Sequence, residues 1–136
     1  MGSLGFNVML GLLGGNEESV KAFNSGVGKT IVSLSIGDDN ALHFAFEDGT
    51  KFKVFDDGQS CCEDRYMRTD DDLAYYVGAQ LLGVEVSFAP NETDEYGLEH
   101  EVQFVKMQTS KGVFTLANHN EHNGYYGGFL LRAEVE

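Results

Sequence analysis

The sequence predicts an α+β fold: a mainly antiparallel sheet of about seven strands with two short helices. Three observations carry this. Apolar and polar residues alternate with period two in several separate stretches, as half-buried strands require. The turns between them are built from glycine, with 17 Gly and 1 Pro in the chain, which favours tight hairpins over long crossovers. Only two segments, 16–26 and 69–78, carry capping residues ahead of an apolar stripe.

The 136 residues suit one domain, 1–136, large enough to bury a core without staples. Met1-Gly2-Ser3 has the look of an expression scar and is set aside. Val8–Leu13 is apolar but short and has no basic lead, so neither a signal peptide nor a membrane span is expected. After Gly14-Gly15, Asn16 is placed to cap a helix. Glu17 and Glu18 suit its positive end, Val20 and Phe23 form one face, and the helix stops near Gly26. Gly26-Val27-Gly28-Lys29-Thr30 resembles the end of a phosphate-binding loop. The full pattern needs a glycine where Phe23 stands, and here a helix leads into a strand, so a glycine turn is expected.

Thr30–Ile36 reads as a strand with Ile31, Val32, Leu34 and Ile36 apolar. Leu42, Phe44 and Phe46 alternate next, Asp48-Gly49 turns the chain, and Phe52 and Val54 continue with Lys51 and Lys53 outward. His43 falls on the solvent side. Thr69 is expected to cap a helix whose first turn holds Asp70, Asp71 and Asp72 and whose stripe is Leu73, Tyr76 and Val77. The acidic run lacks the spacing of a calcium loop. Gln80–Ala89 reads as a strand with Leu82, Val84, Val86 and Phe88 on one face. Residues 90–97 form an acidic loop, and Asn91-Glu92-Thr93 is a chance sequon. Val102, Phe104 and Lys106 alternate in the next strand. Ser110-Lys111-Gly112 turns, Val113–Leu116 starts another strand, and Phe129–Val135 closes the sheet.

Composition limits the partners. The formal charge is −13, from 22 acidic and 9 basic residues, which repels DNA, RNA and anionic membrane. The two cysteines are adjacent, Cys61-Cys62. No disulfide framework is possible, and a reduced, cytosolic protein is the simplest reading. Cys-Cys-Glu is not a zinc spacing, so no metal site, cofactor or catalytic set is expected.

Two stretches stand out chemically. Asn118–Gly128 has two histidines, three asparagines, two tyrosines and three glycines, and no aliphatic side chain. It reads either as a hairpin turn at Asn123-Gly124 or as a surface that hydrogen-bonds and stacks against something polar and flat. Cys61–Arg68 holds two of the three arginines, Arg65 and Arg68. Together they supply what a nucleotide with flat bases and phosphates needs. Arg65 and Arg68 suit phosphate oxygens. Tyr66, Phe88, Tyr125 and Tyr126 offer stacking faces. Asn118, Asn120 and Asn123 can read base edges, with His119 and His122 between them.

Gly28-Lys29-Thr30-Ile31, Cys61-Cys62-Glu63 with Arg65-Tyr66 and the Asp-rich segment, and Lys111-Gly112…Thr115 with Asn123-Gly124-Tyr125-Tyr126 together resemble the phage Thoeris anti-defence family. The resemblance runs from Gly28 to the C-terminus; residues 1–27 lie outside it. It implies a small α+β protein that assembles as a dimer or hexamer. Such a protein acts in the cytoplasm of the host bacterium and sequesters a cyclic ADP-ribose isomer or cyclic oligonucleotide without cleaving it. It also implies ligand contacts at Arg65, Phe88 and Asn123. The chain departs from the family pattern at Ala117, where an arginine is common, and at Asn118, His119 and Asn120, which replace an aromatic pair and a glycine. Two other functions compete. His119, His122, Glu121 and Glu63 would serve a metal-dependent hydrolase if brought together. The acidity alone suits an inhibitor that docks on a basic protein.

Overall fold

The computed structural model describes residues 17–58, 63–122 and 128–136. It is mostly antiparallel sheet, with nine strands in two sheets, one helix and one 3-10 turn among the described residues. The α+β expectation fits broadly; the strand count is higher than the sequence suggests.

Helix α1 spans Glu17–Asn24 and buries Val20 and Phe23. The expected cap Asn16 lies outside the described residues. Strands β1 (Ile31–Ile36), β2 (Leu42–Phe46) and β3 (Lys51–Asp56) form the expected meander. Their sheet is completed by β9 (Leu131–Val135), giving the order β1-β2-β3-β9. The inward faces of β2 and β3 stack Phe44, Phe46 and Phe52, with centroids 4.8–5.8 Å apart. Phe23 meets Phe52 edge-on at 5.6 Å. A Cβ on Gly26 would lie 2.5 Å from the Phe46 ring and 2.8 Å from Phe52, so the chain after α1 passes this stack only as glycine.

The second sheet contains β4 (Glu63–Arg68), β8 (Gly112–His122), β7 (Glu99–Thr109) and β5 (Leu81–Phe88) in that order, with the short β6 (Glu92–Thr93) beside β7. The sheets meet at one corner through the Thr30–Gln80 bridge and the hydrogen bonds Gly28 N to Leu81 O (2.7 Å) and Ile31 N to Ala79 O (2.8 Å). Residues from both sheets and α1 share one apolar core. No helix among the described residues is long and apolar enough to cross a membrane.

Four expectations change. A bulge between Ile31 and Ser33 turns Val32 outward, 49% exposed, because the register slips by one residue there. A second bulge between Leu81 and Gly83 puts Leu81 and Val84 inside and leaves Phe88 at the strand end, 64% exposed. In β7 the buried face is Gln103, Val105, Met107 and Thr109, opposite in phase to Val102, Phe104 and Lys106. Both faces carry apolar residues, and the choice is made by β8, whose Phe114 and Leu116 pair with Met107 and Val105. Finally, the helix expected from Thr69 is a single 3-10 turn, Leu73–Tyr76, capped by Asp72. Thr69 and Asp71 are drawn away to β8 instead: Thr69 Oγ1 donates to Thr115 O (2.8 Å) and Asp71 Oδ2 accepts from Thr115 N (2.7 Å).

Candidate functional site

The polar stretch after Leu116 is a continuation of β8, and strand geometry divides it between two faces. The inward residues run Phe114, Leu116, Asn118, Asn120, His122, so one strand passes from the apolar half of the interior to a polar half. Asn118, Asn120 and His122 are all buried. The same alternation splits β4: Glu63, Arg65 and Met67 pair with those inward positions, while Asp64, Tyr66 and Arg68 face out.

Inside, buried polar groups need partners, and among the described residues most have them; Arg65 Nε and Asn120 Oδ1 are the exceptions. Arg65 donates to Asp56 Oδ1 at 2.8 Å and to Glu63 Oε2 at 2.6 Å, with its side chain 9% exposed. Asn118 donates to Asp56 Oδ2 (2.9 Å) and Gln103 Oε1 (3.1 Å). Asn120 donates to Glu63 Oε2 (2.9 Å) and Gly128 O (3.1 Å). His122 Nε2 lies 2.5 Å from Glu101 Oε1. Gly58 passes so close to the guanidinium that a Cβ there would sit 2.8 Å from Arg65 Cζ. Arg65, Asn118, Asn120 and His122 are thus joined in an interior network rather than on a surface.

Outside, a different set comes together. Tyr66 and His119 are cross-strand partners and stack at 4.6 Å with planes 9° apart. Arg68 Cζ lies 5.0 Å from the Tyr66 ring centre, a cation–π distance. His100 Nε2 sits 2.8 Å from His119 Nδ1, and Tyr66 Oη donates to Glu121 Oε2 at 2.7 Å. Burial first, and then the Glu121 carboxylate, push the Tyr66 phenol up to about 12, so it stays protonated at neutral pH. Burial, then His100 and then Arg68, lower the His119 pKa, against a smaller opposing pull from Glu121. Beside this stack is a cleft of about 360 Å³ with Ala117 and Thr115 in β8, Phe104 in β7, and Arg68 and His119 at its sides. Asp70 and Asp71 complete the rim; the Asp71 carboxylate is already bound to the Thr115 amide.

A model of the family described as a domain of unknown function, DUF7448, matches residues 24–131. The chain belongs to this family. No curated protein and no solved structure matches it. The match takes in both faces of β4 and β8, so the DUF7448 domain includes the interior network and the outer cleft together.

Of the residues expected to bind ligand, the DUF7448 chain puts Arg68 and His119 at the cleft, with Tyr66 stacked beside them, and sends Arg65, Asn118, Asn120 and His122 inside. Phe88 stands apart, with its ring 6.1 Å from Phe129. Asn123, Tyr125 and Tyr126 lie outside the described residues, as do Cys61 and Cys62. His119 and His122 are on opposite faces of β8, and Glu63 is bound to Arg65, so the hydrolase constellation is not assembled in one place. Among the described residues no three His, Cys, Asp or Glu groups are arranged to hold a metal ion. His100 and Phe104 were missed. Counting back along β7 from the Ser110-Lys111-Gly112 turn would have found them, since the hairpin register sets His100 against Glu121 and Phe104 against Ala117.

Proposed function

We propose that this protein binds a small nucleotide ligand in the outer cleft of its second sheet and releases it unaltered. The observation that supports this most is the cleft itself. A guanidinium, the His119 ring and the Phe104 ring surround the small floor of Ala117, with Tyr66 stacked behind His119. Its volume lies at the lower end of small-molecule sites, which run from roughly 300 to 1,000 Å³. Arg68 suits one phosphate group, and Phe104 and His119 offer apolar and aromatic surface to a base. Asp70 on the rim disfavours a polyphosphate. Sequestration of a cyclic ADP-ribose isomer or cyclic oligonucleotide in a phage-infected cell, by a dimer or hexamer, is the narrower form of this reading. It draws on the sequence resemblance.

Mass spectrometry of small molecules released by heat, after incubation with a panel of cyclic nucleotides, tests both forms. One species recovered intact and in fixed stoichiometry is the expected result. A cleaved product would replace the proposal with a hydrolase. Arg68→Ala, which removes one charge-assisted contact, and Ala117→Leu, which fills the floor, should each weaken binding at least about tenfold.

The acidic inhibitor reading has its own support at the far end of the sheet. A pocket of about 470 Å³ there is lined by Glu92, Asp94, Glu99 and Glu121 with His100 and His122. Tyr96 and Leu98 are exposed beside it, 82% and 52%. Capture of a basic protein that survives Ala117→Leu would favour that reading.

A further inference from the structure

We infer that the His100–His119 pair takes up one proton, and only one, when an anion seats beside Arg68, so that the cleft holds its ligand more tightly as the pH falls below neutral. This rests on the cleft being the seat of a phosphate-bearing ligand, and it adds how that seat is regulated.

The 2.8 Å contact between His100 Nε2 and His119 Nδ1 sets the stoichiometry. Two ring nitrogens at that distance need one hydrogen between them. In the neutral pair one ring donates and the other accepts. One added proton preserves the bond, since a cationic ring then donates to a neutral one. A second proton would set two N–H groups face to face and break it. The bond therefore survives the addition of one proton to the pair and not of two.

The surroundings set the direction. From β4, Arg68 opposes a positive charge on His119, while the Tyr66 phenol is neutral and Asp64 lies further along the outer face. From β8 itself, Glu121 favours the charge. The pocket that His100 shares also holds Glu92 and Asp94 from the β6 side, Glu99 of β7, and Glu121 and His122 of β8. The segment after β4 brings Asp70 and Asp71 to the cleft. Burial and Arg68 both disfavour a positive charge on His119 in the empty protein. An anion beside Arg68 cancels the second of these, and the neighbouring carboxylates then favour proton uptake. By linkage, a ligand that draws in a proton binds more strongly when protons are plentiful.

Two probes of constant charge test this: inorganic sulfate, and a cyclic dinucleotide whose phosphodiesters do not titrate in this range. Histidine ring resonances of the intact chain are followed from pH 5 to 8 with and without sulfate. The expected result is that His100 and His119 respond together in a one-proton step whose midpoint rises with sulfate. Calorimetry of the dinucleotide in two buffers of different ionisation heat should give uptake of up to one proton. Its affinity should rise by at most about tenfold per pH unit on acidification. His100→Gln retains a hydrogen-bonding partner for His119 and should flatten that slope; if it does not fold, the wild-type titration still decides. Independent titration of the two rings, uptake of two protons, or a dinucleotide affinity flat in pH would overturn the inference while leaving a nucleotide site in place. Response to sulfate without dinucleotide binding would do the reverse, sparing the proton coupling and removing the nucleotide. Silence to both probes overturns both.

Discussion

Arg65 and Arg68 stand three positions apart on one strand and have opposite fates. Arg65 is enclosed between Asp56 and Glu63, and Arg68 is exposed over Tyr66. Replacing one member of a buried ionic cluster leaves its partners charged and dry. Arg65→Met should therefore cost about 3–5 kcal/mol, visible as a lower urea midpoint. Arg68→Ala should change stability by less than about 0.5 kcal/mol and act on ligand alone. Equal stability losses in the two variants would contradict the division of β4 into an inner and an outer face. Gly58→Ala belongs with Arg65: its new methyl meets the guanidinium and should weaken the same cluster.

Among the elements, the β2–β3 hairpin and β4 mark the limits of what the sequence discloses. The hairpin was legible because Leu42, Phe44, Phe46, Phe52 and Val54 alternate strictly around Asp48-Gly49, and all five are buried. β4 was not legible as a strand, because its inward residues Glu63 and Arg65 are charged and match no apolar pattern. The extension of β8 was hidden for the same reason. Asn118, Asn120 and His122 are buried by pairing with other polar groups, which a hydropathy pattern cannot register. The capping signal at Thr69 was real, but its hydroxyl accepts from Asp71 N in a local turn and donates across the sheet to Thr115 O instead of starting a helix. The Phe stack supports a prediction at this scale. Gly26→Ala drives a methyl into Phe46 and Phe52 and should cost about 1–3 kcal/mol by overpacking. Phe52→Ala, which opens a void at the centre, should cost about 3–5 kcal/mol. Thermal unfolding of both variants checks the order.

Across the whole molecule, charge couples to pH at a place the sequence assigned to plain solvent. His43 lies 2.6 Å from Glu136 and 3.0 Å from Asp39, bridging β2 to the residue after β9. The hydrogen bond that His43 donates to Asp39, then the one it donates to Glu136, raise its pKa above 6.5. A raised pKa means stability fully present below about 6.5 and lost as pH climbs through the folded value. Asp39 is lowered from 3.8 by His43, so its share is present above about 4 and lost as pH falls through its folded value. The bridge is strongest between these limits. The Tm of the wild type should fall from pH 6.5 to 8 relative to His43→Gln, by a small amount because the groups are partly exposed. Parallel profiles would show that the bridge contributes nothing.

The pairing of β3 with β9 carries a cost in time. Asp56 and Leu130 meet across 74 positions of chain. At ribosomal speeds of about 5–20 residues per second, that interval lasts roughly 4–15 s. Throughout it the β1-β2-β3 meander has a bare hydrogen-bonding edge and a half-covered row of phenylalanines. The newborn chain is most open to proteases and to other nascent chains in those seconds, before its last strand arrives.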